Sequence, residues 1–289
     1  MRASLRSLSC LVFTGAVIGG VLAAGPATVA GAATTTCSGT PQSPGVLSGT
    51  VTSSVVVHGA CFVDSGPAVV TGDVTVSPGS VLVSAFGLHH SSLTVKGNIY
   101  VRAGATALLG CNPANFPCID NPALSSHVSV GLDLRSNLAL GVIVHNFSVA
   151  GDLIQTGGGG GVNCRPQGIF KLFMNSPVFS TYEVGSVGGD VRISSVHSCW
   201  MGVVQLKIGN SMVMHANRLA DPDAIEILAN HITGSLICRR NSMTWNSSEN
   251  GNGLFPRTPH PNTVGRNRKG QCVLASPTKP GGPLGPGPF

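Results

Sequence analysis

A short pattern that recurs along the chain places the strongest constraint on its fold. Each copy begins with glycine followed by Asp, Asn or Ser, and continues with alternating apolar residues. The six copies are Gly72–Val76, Gly97–Val101, Gly151–Ile154, Gly189–Ile193, Gly209–Val213 and Gly234–Cys238. A turn-and-strand unit repeated every few tens of residues is typical of β-solenoids, in which each repeat stacks on its neighbours. The pattern predicts an all-β chain folded as a single-stranded parallel β-helix.

The spacings between these glycines suggest one repeating unit with variable loops. They are 25, 54, 38, 20 and 25 residues. The interval of 54 fits two units if Ser129–Leu134 is a degenerate copy, and the interval of 38 fits one unit plus an insert around Gly157–Gly161. At roughly 23 residues per coil and about 4.8 Å of rise, the segment from Cys37 to Cys272 would form about ten coils.

Glycine suits a tight corner because it adopts positive φ at little steric cost. We therefore expect the recurring glycines, such as Gly189, to have positive φ. Asp or Asn beside the glycine can bond to local backbone, and stacked Asn side chains can form ladders. Asp73, Asp152 and Asp190 share this position, so a turn-forming role is expected for them. Gly157–Gly161 lacks the Gly-Lys-Ser/Thr of a phosphate loop, and we expect a mobile insert there.

Both ends of the chain have the composition of segments outside the fold. Arg2 and Arg6, the apolar stretch Leu11–Ala24 and the small residues Ala30–Ala32 predict a cleaved signal peptide at 1–32. The β-helix domain then covers 33–275, with an insert loop near 157–182, and the Pro/Gly-rich tail 276–289 is predicted to be disordered. No later segment is long and apolar enough to span a membrane, so a secreted, extracellular location is predicted.

An exported chain with an even number of cysteines is expected to form disulfides. Without Cys10 of the signal peptide there are eight: Cys37, Cys61, Cys111, Cys118, Cys164, Cys199, Cys238 and Cys272. Eight cysteines allow 105 pairings. Sequence proximity favours Cys37–Cys61, Cys111–Cys118, Cys164–Cys199 and Cys238–Cys272, which would tie down both ends of the solenoid. The rival interpretation, a zinc site, lacks CxxC pairs and histidines at ligand spacing.

Charge gives little indication of a partner. Only 10% of the residues are charged, and removing Arg2 and Arg6 lowers the formal net charge from +6 to +4. This small, scattered excess does not predict nucleic-acid binding. Cell-wall or extracellular polysaccharide remains a candidate partner, through weak attraction to anionic polymers.

Candidate chemistry is sparse. The densest acidic group is Asp221, Asp223 and Glu226, which could form a calcium or paired-carboxylate site but also fits a turn opened by Asp-Pro-Asp. His197, in the sequence His-Ser-Cys-Trp, is the most distinctive histidine, yet the expected disulfide at Cys199 favours a structural corner. We predict no catalytic, metal or cofactor residues.

Motifs along nearly the whole mature chain resemble those of a family of functionally uncharacterised secreted proteins from high-GC actinobacteria. They are Cys37–Thr40, Leu109–Cys111, Phe116–Cys118, Val144–Asn146, Gly157–Cys164, His197–Trp200, Ala220–Asp223, Leu236–Cys238, Pro261–Gly265 and Gly270–Cys272. The resemblance implies a right-handed β-helix outside the cell and no known activity. Gly234-Ser235 stands where Gly-Asn is more usual in that family.

These observations predict a secreted structural or interaction solenoid, acting at or outside the cell envelope and not as an enzyme. The alternative is a carbohydrate-active enzyme, a polysaccharide lyase or hydrolase of the pectate-lyase-like class, because parallel β-helices often carry such activities.

Overall fold

The chain folds as a stack of short parallel strands. A computed structural model describes residues 34–114, 116–221, 225–242, 244–245 and 261–273, so the predicted signal peptide and tail lie outside the described residues. In chain order the strands are β1 Thr34–Gly39, β2 Gly45–Val46, β3 Gly49–Val51, β4 Ser54–Phe62, β5 Ala68–Val70, β6 Val74–Val76, β7 Val81–Ser84, β8 Leu93–Val95, β9 Ile99–Val101, β10 Thr106–Leu109, β11 Val128–Val130, β12 Leu134–Asn137, β13 Gly141–Val149, β14 Leu153–Thr156, β15 Phe179–Val187, β16 Val191–Ser194, β17 His197–Ser198, β18 Trp200–Ile208, β19 Met212–His215, β20 Arg218–Leu219, β21 Ile225–Leu228, β22 His231–Ile232, β23 Leu236–Arg239, β24 Thr244–Trp245, β25 Thr263–Val264 and β26 Arg268–Gly270. Short helices occupy Leu88–His90, Phe170–Met174 and Gln271–Val273.

Each coil contributes a strand to three parallel sheets, which we call faces 1, 2 and 3. Face 1 stacks ten strands: β1, the start of β4, β6, β9, β12, β14, β16, β19, β23 and β26. Face 2 runs from β2 through the end of β4, β7, β10 and the first halves of β13, β15 and β18 to β21 and β24. Face 3 runs from β3 through β5, β8, β11 and the second halves of β13, β15 and β18 to β22 and β25. The predicted parallel β-helix is confirmed, and face 1 has the predicted ten coils.

Alternation along each strand fills the interior with columns of apolar side chains. On face 1, Val74, Ile99, Leu134, Leu153 and Val191 lie in register on successive coils, and each is at most 1% exposed. Leu134 belongs to the degenerate copy predicted at Ser129–Leu134, and its place in this column confirms that prediction.

A second apolar cluster lies on the outer side of face 2. Three segments between strands cover this side: 85–92 after β7, 110–127 after β10 and 157–178 after β14. Their apolar residues pack on the outward-facing side chains of the sheet; for example, Phe170 of the third segment and Phe179 at the start of β15 have ring centroids 5.4 Å apart. Most of the predicted insert, 157–182, therefore lies in the third segment, while 179–182 belong to β15.

The turn into face 1 is held by a ladder of side chains from the Asp/Asn/Ser position. Each side chain accepts a hydrogen bond from the backbone N–H of the equivalent residue on the next coil. The donor–acceptor pairs run Asp73–Ser54, Asn98–Asp73, Asp133–Asn98, Asp152–Asp133, Asp190–Asp152, Ser211–Asp190, Ser235–Ser211 and Asn267–Ser235, at 2.7–3.5 Å. The aspartates thus lie at the turn, as predicted, but their side chains bond to the backbone of the next coil and not to local backbone.

The recurring glycines are required at the turns, but not for the reason that we expected, which was positive φ. Gly189 does not have positive φ; instead, a Cβ there would collide with Asp152 Oδ1 and lie 2.9 Å from Gly151 O on the preceding coil. Glycine is required because neighbouring coils approach closely at this turn.

The expectation of a mobile glycine insert is also wrong. All five residues of Gly157–Gly161 have positive φ. Gly157, Gly159 and Gly161 donate hydrogen bonds to Ser194 O, Ala139 O and His197 O at 2.8–2.9 Å. The run is therefore an ordered part of the stack, where positive φ and close packing coincide.

All four predicted disulfides are present: Cys37–Cys61, Cys111–Cys118, Cys164–Cys199 and Cys238–Cys272. The first and last join adjacent coils near the two ends of the stack, as predicted. Among the described residues, none of the helices has the length and apolar character needed to cross a bilayer.

Substitutions of glycine should separate close packing from backbone conformation. Gly189→Ala should destabilise the fold by about 1–3 kcal/mol through collision with the neighbouring coil, and Gly159→Ala by more than that, because its φ of +94° adds strain. Gly79→Ala is the control, since its φ is +70° but nothing lies within 4 Å of the added Cβ; it should cost about 1 kcal/mol. Chemical unfolding measures all three, and equal effects at Gly79 and Gly159 would contradict the packed glycine run.

The ladder can be tested at Asp152, whose Oδ1 accepts the Asp190 N–H at 2.8 Å. Asp152→Ala leaves that N–H without its acceptor and should destabilise the fold by about 1–3 kcal/mol. Asp152→Asn keeps an acceptor oxygen and should cost less than about 1 kcal/mol. If both substitutions cost the same in chemical unfolding, the ladder bond does not stabilise the stack.

Candidate functional site

The outer side of face 1 carries a polar groove with two guanidinium groups. It has a volume of about 340 Å³, and its polar and aromatic lining comes from Tyr100, Arg102, Arg135, Asn137 and Thr156. These residues belong to β9, β12 and β14, or directly follow β9, and they face outward because the side chains between them point into the core. We call this site the face-1 groove.

One guanidinium of the groove is oriented by a carboxylate. Arg135 donates to Asp133 Oδ2 from Nε at 3.0 Å and from Nη2 at 2.7 Å. Burial raises the pKa of Asp133, but the hydrogen bonds from the Asp152 N–H and from Arg135 outweigh this effect and hold the pKa below its ordinary value. Asp133 also belongs to the ladder at the turn into face 1. It therefore stabilises this turn and orients the Arg135 side chain. The Arg135 side chain remains 47% exposed.

The second guanidinium lies over an aromatic ring. Arg102 Cζ is 4.8 Å from the centroid of Tyr100, within the range of a cation–π contact. Within the part of the chain that the structure describes, Arg102 has no carboxylate partner. The groove therefore combines a positive charge, an aromatic ring and the amide and hydroxyl of Asn137 and Thr156. This arrangement can bind a polar ligand with a negative charge.

A wider depression lies on the outer side of face 3. It has a volume of about 420 Å³, and its polar lining includes Ser129, Ser148, Ser186, Lys207 and His231. The first three lie in register on successive coils, and Lys207 and His231 follow on the next two. The depression offers hydroxyl groups, one lysine and one imidazole, and its lining also includes small residues such as Gly131 and Ala150.

The predicted acidic site does not form an open pocket. Asp221 and Glu226 are buried, at 3% and 6% exposure, and Asp223 lies outside the described residues. An oxygen of Asp221 lies within 4.8 Å of the sulfur atoms of Cys164 and Cys199, but these sulfurs are joined in a disulfide and are not thiolate ligands.

His197 lies in a structural part of the fold, as the sequence indicated. It is exposed in β17, which pairs with β20, and its N–H donates to Gly158 O at 2.9 Å. The next residue but one, Cys199, is bonded to Cys164.

The outer side of face 2 holds a buried polar group that nothing in the sequence pattern predicts. His145 and Glu183 lie in register on β13 and β15 and are 2% and 1% exposed. Thr181 donates a short hydrogen bond to Glu183 Oε1, while His145 Nδ1 is 3.6 Å from Glu183 Oε2, beyond hydrogen-bond distance. Phe116 stacks on the imidazole, with centroids 4.5 Å apart. Burial lowers the pKa of His145 to about 3, so the ring is neutral at neutral pH.

Comparison with family models, with curated proteins and with solved structures finds no match. The residues described above are therefore the basis for assigning a function.

His145 should make stability depend on pH. In the unfolded chain its pKa returns to about 6.5, so between pH 6.5 and about 3 the unfolded state binds more protons than the native state. Stability should therefore fall as pH decreases through this range. Between pH 7 and pH 4.5 the wild type should lose about 2–3 kcal/mol more than His145→Gln, which has no titrating ring. Urea unfolding at both pH values measures the difference, and parallel losses would mean that His145 is protonated in the native state.

Proposed function

We propose that this protein is an extracellular interaction solenoid that binds an anionic carbohydrate in the face-1 groove. The observation that carries the proposal is the convergence of Arg102, Arg135 and the Tyr100 ring on one groove of a hydrogen-bonded sheet. A planar guanidinium forms paired hydrogen bonds with carboxylates. An aromatic ring adds an apolar surface for the carbon face of a sugar.

Location outside the cell is supported by the four disulfides. Such bonds persist in oxidising compartments and are rare in the cytosol. The eight cysteines that form them are those left after the predicted signal peptide. The proposed partner, an extracellular or cell-wall polysaccharide, occurs in the same environment.

The length of the groove suits a segment of a linear polymer. Tyr100, Arg135 and Ile154 are in register on three adjacent strands, which span about 10 Å at 4.8 Å per strand. The same repeated spacing continues along face 1, where Arg192 faces outward two strands beyond Arg135. Arg192 is bonded to Asp190 as Arg135 is to Asp133, but it does not line the groove.

Binding rather than catalysis is favoured by the position of the acidic residues. Among the residues that the structure describes, no carboxylate lines the face-1 groove or the depression on face 3. Asp73, Asp133, Asp152 and Asp190 accept backbone hydrogen bonds in the ladder. Glu183, Asp221 and Glu226 are buried on or beside face 2. A lyase or hydrolase would need carboxylates or another general base beside the bound sugar.

The test is titration with polygalacturonate, with neutral dextran as the comparison ligand. Arg102→Gln and Arg135→Gln should each weaken polygalacturonate binding by about 10- to 100-fold, because each removes a charge-assisted hydrogen bond. Arg192→Gln is the matched control and should change affinity less than about twofold. Affinity should also fall with added salt. Calorimetry measures these values.

Two outcomes would overturn the proposal. Equal effects of Arg135→Gln and Arg192→Gln would show that the groove is not the binding site. Release of unsaturated or reducing ends from polygalacturonate, with or without Ca²⁺, would instead support the carbohydrate-active enzyme.

A further inference from the structure

An apolar cavity lies outside the solenoid, between face 2 and the segments that cover it. Its volume is about 120 Å³. The floor is formed by Phe62, Val83 and Leu108, which lie in register on β4, β7 and β10. The remaining lining residues are contributed by all three covering segments: Phe86, Phe116, Ile119, Ile169 and Met174.

The side chains that line the cavity offer water no hydrogen-bond partner. All eight lining side chains are apolar. A buried water needs two to four polar partners, and apolar cavities of about 150 Å³ remain dry and bind benzene or xenon. The present cavity is somewhat smaller, so it has room for a single ring and not for two fused rings.

A disulfide and hydrogen bonds hold the segments that form the walls. The cavity therefore cannot close by a small shift of one segment. The Cys111–Cys118 disulfide constrains the segment that carries Phe116 and Ile119. Asp120 accepts hydrogen bonds from the backbone N–H groups of Gly87 and Leu88 at 2.8 and 2.9 Å, which joins this segment to the one that carries Phe86. A cavity that cannot relax retains its free-energy penalty until something fills it.

The aromatic side chains in the wall determine the class of ligand. Phe62 and Phe86 are tilted at 38° with centroids 5.4 Å apart, and both rings line the cavity. Phe116 is held on its other side by the stacked imidazole of His145. Such surroundings favour offset or edge-to-face contacts with another ring. Ile119 is 51% exposed, which places one wall at the solvent boundary and provides a route of entry.

We propose that this cavity binds an uncharged small molecule containing one aromatic ring, such as benzene or an alkylbenzene. A charged or strongly polar compound would lose its hydration without gaining a partner. The site is separate from the face-1 groove and does not depend on the proposed carbohydrate binding.

The experiment is titration of the full chain with fluorobenzene, observed by fluorine NMR, and with benzene in thermal unfolding. We expect saturable binding with Kd on the order of 0.1–1 mM, a rise in melting temperature with benzene, and competition between the two ligands. Naphthalene and benzoate should not compete, because of size and charge respectively. Absence of saturable fluorobenzene binding to the wild type would overturn the proposal without any variant.

Two substitutions on the same strand locate the site. Val83→Phe places a ring in the cavity and should reduce affinity at least tenfold. Val81→Phe is the matched control: it faces outward two residues earlier on β7 but does not line this cavity, and it should retain wild-type affinity. Leu108→Ala enlarges the cavity and should allow naphthalene to compete, which remains informative if Val83→Phe does not fold. Equal binding by both valine variants, together with failure of Leu108→Ala to admit naphthalene, would place the bound ring elsewhere.

Discussion

The structure depends on hydrogen bonds between equivalent residues of successive coils, and the bonds at the turn into face 1 set the register. There, the side chain of one coil accepts the backbone N–H of the next, from Ser54 to Asn267. The residues that directly follow the ladder positions form one column of the interior. The hydrogen bond that closes each turn therefore also aligns the core. Because the ladder uses Asp, Asn or Ser, the sequence can vary there while an acceptor oxygen is retained.

This alignment explains how exposed residues distant in sequence come to form a groove. Tyr100 and Arg135 are separated by 35 residues, including the segment 110–127, yet they lie on adjacent strands. Asp133 contributes to both the ladder and the groove. Its Oδ1 accepts a hydrogen bond from the Asp152 N–H, and its Oδ2 accepts one from the Arg135 guanidinium. The position of the guanidinium is therefore a consequence of the stack itself and does not require a separate loop to hold it.

The fold could be predicted from the sequence because its repeat depends on local residues: the Gly-Asp turn, the alternation of apolar residues and the even number of cysteines. The reason why glycine is required could not be predicted from the sequence. The collision that excludes a Cβ at Gly189 comes from Asp152, 37 residues earlier. The face-1 groove could not be predicted either, since its lining depends on which coils become neighbours after the long segments are accommodated. The acidic residues Asp221 and Glu226 were visible in the sequence, but their burial was not, because it depends on neighbours distant along the chain, such as Cys199 beside Asp221 and Gly202 beside Glu226.

The three faces differ in what covers them, and this difference separates their chemistry. The segments 85–92, 110–127 and 157–178 all pack on the outer side of face 2, where an uncovered row such as Phe62, Val83 and Leu108 would expose apolar surface to water. Faces 1 and 3 instead carry open depressions with arginine, lysine, hydroxyl and amide groups. The anionic ligand that we propose would therefore bind where the sheet meets solvent, and the proposed apolar ligand would bind beneath the covering segments. The segments inserted between the strands thus create an apolar cavity without disturbing the regular strand spacing that forms the face-1 groove.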